Sequence, residues 1–259
     1  MKILVCVKEV LDPEGTIQID PSGSKLVTVP SPLFKMNYFD EFAVEEALVL
    51  KAAIPQSSVD VISVGPRRSE TVVRRCLGMG ADHGIHILSE QESVLGPFQV
   101  ASWIAWYGSR HPYDLILVGV MAEDDMEGQV GPLVAEFLSL ALATSVISLA
   151  VSTEGKAVYV EREIEGGLRE HLKLVLPAVL SIQSGINKPR YPSLSNVLRA
   201  KKQELEIIPA GSLKQEPPLQ ETLGFSFPQR SRPGLVLSGS PLEKAAALST
   251  ILRDKSFLN

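Results

Sequence analysis

Cysteine is nearly absent: Cys6 and Cys76 are the only two in 259 residues, with no CxxC pair. That spacing supports neither a disulfide framework nor a zinc site. No apolar run approaches the ~20 residues a membrane-spanning helix needs. Met1-Lys2 runs directly into the strand-like ILVCV with no charged leader before an apolar stretch, so the expected location is cytoplasmic. Basic charge is not in excess either. A net charge of −5 argues against a nucleic-acid surface, because phosphate binding relies on Lys and Arg. No Walker loop occurs, and no GxGxxG follows a strand, so a P-loop NTPase and a standard dinucleotide fold both lack support. There is no G-x-S-x-G elbow or positioned base. His83, His86, His111 and His171 share no helical spacing and have no companion cysteines, which makes them surface or strand-end residues rather than metal ligands. Without a catalytic constellation, the chain reads as a carrier or binding subunit more than a stand-alone enzyme.

What is present is an ordinary globular composition, 45% hydrophobic and 21% charged, sufficient for one large or two modest cores. Along the chain, strands are expected over 2–7, 59–64, 84–88 and 114–119, and helices over 39–53, 70–79, 97–109 and 128–142. A hairpin is expected over 16–29 around Pro21-Ser22-Gly23. Strands separated by single helices signal βαβ units and an open, mostly parallel α/β sheet with helices on both faces. After Ala150 the pattern changes to antiparallel hairpin strands that extend the sheet. Past Gly211 the chain turns Pro-, Gln- and Ser-rich, like a strap lying over a neighbour, before a last helix at 241–252. The expected division is a nucleotide-binding domain at 1–210 and a C-terminal arm at 211–259. Trp103 and Trp106, three apart on a helix, are expected to pack in the core.

Open α/β sheets bind ligands at the carboxyl ends of their strands. Four segments should gather there: residues 6–9, residues 36–40, Val64-Gly65-Pro66, and residues 119–131 (GVMAEDDMEGQVG). The last leads from a strand through a loop into a helix start, where backbone N–H groups near Gly128 and Gly131 can hold a phosphate. Glu123, Asp124 and Asp125 would repel that phosphate if they faced it, and suit capping the helix or reading a ribose. Capping with no ligand is the alternative for this segment taken alone. The acids Asp40, Glu41, Glu45 and Glu46 fall in the early turns of an amphipathic helix, where the dipole favours them without any acid–base role.

The most informative stretch runs over 160–202. Residues 160–163 and 168–175 carry alternating, branched residues of paired strands, with Gly166-Gly167 as the turn. Residues 177–182 (PAVLSI) form an apolar run for the core. Then come Asn187-Lys188-Pro189-Arg190-Tyr191-Pro192-Ser193-Leu194. Its two prolines stiffen the segment and keep it out of a sheet interior. Leu194 is expected on a rigid, exposed loop before a helix with Ser193 or Ser195 as N-cap, closed by Arg199, Lys201 and Lys202. A stiff loop with an apolar tip beside basic charge has the character of a docking element.

These residues resemble the signature of the beta subunit of electron transfer flavoproteins. The match covers Glu161-Arg162-Glu163, Gly166-Gly167-Leu168, Leu176-Pro177-Ala178-Val179, Asn187, Pro189-Arg190-Tyr191, Leu194, Asn196 and Ala200-Lys201-Lys202. It extends over about residues 1–210, and beyond them only in general character. Arg199 departs from the lysine of many members. The resemblance implies an adenine-nucleotide-hydrolase-like fold, with a C-terminal arm wrapping onto an alpha subunit. It implies AMP in the beta subunit and FAD shared with or held by the alpha subunit. Partners implied are acyl-CoA dehydrogenase-type flavoenzymes as donors and a membrane quinone oxidoreductase as acceptor.

Residue by residue, the implied nucleotide contacts are Cys6, Asn37, Tyr38, Phe39, Asp40, Val64, Gly119, Val120, Met121, Ala122, Glu123, Asp124, Asp125, Met126, Glu127, Gly128, Gln129 and Val130. The implied docking residues are Pro189, Arg190, Tyr191 and Leu194, with Leu194 as anchor. Met126 and Glu127 replace an acid and a cysteine of the A-x-D-D-D-C-N-Q-T-G pattern found in many members. Gln129-Val130-Gly131-Pro132 instead resembles the electron-bifurcating branch, where a second FAD replaces AMP and reacts with NADH. The longer loop match favours the ordinary carrier. A nucleotide-binding module without redox role is the remaining alternative, and it would have no reason to carry the loop.

Overall fold

Runs of branched apolar residues build the strands and helices of one alternating chain. The elements are β1 (Lys2–Cys6), β2 (Glu9–Leu11), β3 (Thr16–Ile19), β4 (Leu26–Val29), β5 (Phe34–Met36), α1 (Tyr38–Ala53), β6 (Ser58–Gly65), α2 (Glu70–Met79), β7 (His83–Leu88) and α3 (Pro97–Arg110). There follow β8 (Leu115–Gly119), α4 (Val130–Leu138), β9 (Ala141–Val151), β10 (Ala157–Ile164), β11 (Leu168–Val175), β12 (Ala178–Ile182), α5 (Leu194–Lys202), β13 (Glu206–Pro209) and α6 (Pro241–Asp254). This computed structural model describes residues 1–12, 14, 16–23, 26–29, 33–90, 95–228, 234–255 and 257. Part of the proline-rich tail, residues 229–233, therefore lies outside the described residues.

Nine strands form one sheet in the order β11-β10-β9-β12-β8-β1-β6-β7-β13. The pairings of β9 with β10 and β10 with β11 are antiparallel, and the rest are parallel. Ile3, Val5 and Val7 face one core with α1, α2 and Ala200 of α5, whereas Leu4 and Cys6 face a second core with α3 and α4. A strand covered on both faces reads as a continuous apolar run, which is why β1 shows no alternation. From β1 the chain adds β6 and β7 on one side and then β8 on the other. The reversal between β1 and β8 is where an open sheet leaves a crevice.

Several expectations need correction. The helix expected over 128–142 ends at Leu138, because Ser139 turns left-handed (φ 53) and Leu140 N–H bonds back to Ala135. The apolar residues beyond it form β9, which pairs in parallel with β12. Alanine- and leucine-rich runs suit helix or strand alike, so periodicity could not separate them. The two-stranded pair β2–β5 and the edge strand β13 were not anticipated. His86 is fully buried in mid-strand, not at a surface or strand end. Leu194 opens α5 rather than ending a loop, and Ser193 is the N-cap. Trp103 is buried as expected.

For part of its course the tail lies on this chain's own surface. Leu213 is buried in the second core, and Trp103 Nε1–H donates to the Lys214 carbonyl at 2.9 Å. Glu216 N–H donates to Gln99 Oε1 at 2.6 Å, and Phe225 N–H to the Gly23 carbonyl at 2.8 Å. α6 then stands apart, with no buried residue. Among the described residues no helix is long and apolar enough to cross a membrane.

Candidate functional site

The crevice between β1 and β8 is organised by one carboxylate. Asp40, in the first turn of α1, accepts the Lys8 N–H at 2.7 Å and the Gly119 N–H at 3.0 Å. It thus ties together the carboxyl ends of β1 and β8 at the topological reversal. Gly119 permits this approach: a Cβ there would run into the Asp40 carboxylate and stand 2.8 Å from the Phe39 Cβ. Burial pushes the Asp40 carboxyl up to about 7, against the pull of its backbone donors and of Lys8. The Cys6 thiol is raised far above its ordinary value by burial and then by Asp40, and makes no disulfide.

Asn37 precedes α1 and joins it to the β8–α4 loop. Its Nδ2 donates to the Met121 carbonyl at 2.9 Å, and its Oδ1 accepts the Glu123 N–H at 3.0 Å. Glu123 returns the bond, accepting the Tyr38 N–H at 3.0 Å, and so caps α1 rather than α4. Asp124 and Asp125 are claimed by Lys8, whose Nζ lies 2.7 Å and 2.8 Å from them. Burial opposes the Lys8 charge, but the two carboxylates outweigh it and raise its pKa. Lys35 stands 3.4 Å from Glu123. These lysine pairings explain how three consecutive acids tolerate one another beside a candidate anion site, a solution that spacing alone did not reveal.

Beyond the acids, Val120 N–H is bonded to the Ile182 carbonyl, fixing the loop to β12. Met126 (φ 55) and Gly128 (φ 64) turn the chain left-handed before α4, and a Cβ added at Gly128 would lie 3.0 Å from the Val120 carbonyl oxygen. The Ala122 carbonyl accepts the Met126 N–H at 2.8 Å. Gln129 gives α4 no side-chain cap, as is also the case at the N-cap residues of α1, α2 and α3 but not of α5 and α6. The first amides of α4 are therefore available to an anion. Gln220 of the strap reaches Glu127 at 2.9 Å. Val64 lies at the carboxyl end of β6, next to Gly65, whose carbonyl faces His86 Nε2 at 3.0 Å. Burial holds the His86 pKa below its ordinary value. The fold thus brings Cys6, the residues at 37–40, Val64 and the loop from Gly119 to Val130 to one sheet edge.

The 187–202 segment lies apart from this crevice, on α1 and α2. Asn187 Nδ2 donates to the Phe42 carbonyl at 3.0 Å and to Glu46 Oε2 at 2.9 Å. Arg190 makes a bidentate pair with Glu45, and Pro189 stands in the chain between these two ties. Arg74 donates to the carbonyls of Ala200, Lys201 and Gln203 that close α5. Tyr191 is 88% exposed and Leu194 76%.

The sequence model described as "Electron transfer flavoprotein domain" matches residues 26–213. The chain belongs to the electron transfer flavoprotein family. It is similar to "Electron transfer flavoprotein subunit beta" of Bos taurus, 40% identical over 215 residues that cover 82% of this chain and 83% of that protein. The protein of the same description from Bacillus subtilis (strain 168) is 30% identical over 261 residues, covering 99% of each. That of Dictyostelium discoideum is 36% identical over 215 residues, 82% of this chain and 83% of its own. The α/β sheet agrees with the electron transfer flavoprotein beta fold. In electron transfer flavoprotein terms, the crevice and the 187–202 segment are two separate surfaces, joined by α1.

Proposed function

We propose that this chain is the beta half of a heterodimeric electron carrier. It takes electrons from acyl-CoA dehydrogenase-type flavoenzymes and passes them to a membrane quinone oxidoreductase, with AMP in its crevice and the working FAD held mainly by an alpha subunit. The reading rests first on Leu194, exposed at the head of a segment that is itself tied down at several points. The relatives' shared description as beta subunits supports an alpha partner. The flavin, when bound, supplies reversible electron acceptance. This chain's residues do the docking and hold the nucleotide. Support for a nucleotide there is that the start of α4 has no side-chain cap, which suits a phosphate, and that the acids that would repel it are partly offset by Lys8 and Lys35.

Burying one leucine contributes roughly 1.5–3 kcal/mol, whereas a micromolar complex needs about 8 kcal/mol. Leu194 is thus an anchor that cannot hold a partner alone, which suits a shuttle that must release after each transfer. Leu194→Ala is expected to slow electron transfer from the dehydrogenase strongly while flavin content and melting stay near wild type. Loss of flavin or early melting with docking intact would make Leu194 a packing residue and defeat the reading.

A second reading is favoured by Gln129-Val130-Gly131-Pro132: a bifurcating subunit with its own FAD in the crevice, oxidising NADH. Extracting the purified heterodimer with acid separates the two. One flavin with one AMP supports the carrier, two flavins support bifurcation, and neither AMP nor a second flavin rejects the crevice as a nucleotide site.

A further inference from the structure

The exposed tip at Tyr191 and Leu194 raises the question of what fixes its position. Glu45 sits in the second turn of α1 with a side chain only 7% exposed, and a carboxylate that deep must be paired. Among the described residues, all four of its hydrogen bonds go to one residue 145 positions away. Arg190 Nε lies 2.8 Å from Oε2 and 3.1 Å from Oε1, Nη2 lies 2.8 Å from Oε1, and the Arg190 backbone N–H donates to Oε2 at 3.0 Å. The backbone bond matters most, because it fixes the main chain of the loop and not just a side chain. The next residue is Tyr191, which nothing in the described fold covers.

We propose that Glu45 is a positioning residue for partner docking: buried beyond the partner's reach, it holds Arg190 so that Tyr191 and Leu194 are presented in a fixed attitude. This rests on the docking reading above and assigns Arg190 a different part in it. Its guanidinium works through Glu45 instead of through the partner's surface. Without that tie, Pro189 and Pro192 still limit the loop's shape but no longer its orientation against α1. The ordering cost then falls on the encounter, weakening docking while leaving the flavin's chemistry alone.

The test uses the purified heterodimer and an acyl-CoA dehydrogenase reduced with octanoyl-CoA, with rates measured against heterodimer concentration. Glu45→Gln keeps the side chain's shape but turns an amide NH2 toward the guanidinium. KM for the heterodimer is expected to rise about three- to tenfold with kcat and flavin content unchanged. Arg190→Lys keeps the positive charge but loses the fork, and is expected to raise KM likewise; it carries the test if Glu45→Gln does not fold. Leu194→Ala, measured beside them, reports on the docking reading itself. If Leu194→Ala raises KM and neither Glu45→Gln nor Arg190→Lys does, the positioning role is overturned while docking stands. If Glu45→Gln lowers kcat and flavin content together, Glu45 is a general structural residue and the proposal fails. If Leu194→Ala changes nothing, docking and positioning fall together.

Discussion

Asp40 is a carboxylate whose titration belongs to the working pH range, because burial raises it from 3.8 to about 7. In the unfolded chain the proton is lost near pH 4, and in the folded chain only near 7. Between those values the unfolded state binds fewer protons, so this group's contribution to stability falls as pH rises, with a slope of up to about 1.4 kcal/mol per pH unit. The contribution is level below about pH 4 and above about pH 7. Asp40→Asn removes that slope. It also sets an NH2 against a backbone N–H, lowering stability by about 1–3 kcal/mol. Urea midpoints of both proteins across this range check it, and parallel pH profiles would refute it. At this scale the sequence was legible in where segments gather, since residues 37–40 and the loop from Gly119 do meet at the carboxyl ends of the strands. It was not legible where the partner is remote. Glu45 and Glu46 looked like acids placed for a helix dipole, yet both are buried to hold Arg190 and Asn187. Local spacing carries no information about a partner 145 residues on.

Among the elements, those with strong end signals were read to within a residue or two, such as α1, α2 and α3. The failure was at α4 and β9, where a largely apolar stretch hides a left-handed Ser139 between helix and strand. Serine gives no warning of such a turn, unlike glycine. α6 is the opposite case. A full capping box of Ser240 and Glu243 and a proline in its first turn define it locally, yet none of its residues is buried. Its leucines are left largely open, with Leu242 82% and Leu248 48% exposed. Ending the chain at residue 238 is therefore expected to leave melting of the α/β domain within about 0.5 kcal/mol of wild type, but to abolish co-purification with the alpha subunit. A truncated chain that still brings the partner down would place the attachment elsewhere.

For the whole molecule, the sheet order carries a consequence for biosynthesis. β12 lies between β8 and β9, although it leaves the ribosome after both of them and after the β10–β11 hairpin. Until it emerges, β8 has no neighbour beyond β1, and β9 offers a bare edge of backbone donors and acceptors. Any sheet formed before that point would be split in two, and β12 would close the gap like a keystone. Nascent chains stalled before Ala178 should be sensitive to protease in 141–175 and prone to pair with one another through those edges. Chains in which Ile182 has cleared the ribosome should resist. Equal sensitivity in both would mean that the three-stranded extension stands by itself. If the stalled chains are the sensitive ones, slow codons or a chaperone acting over this interval would keep two half-sheets apart until the strand that joins them arrives.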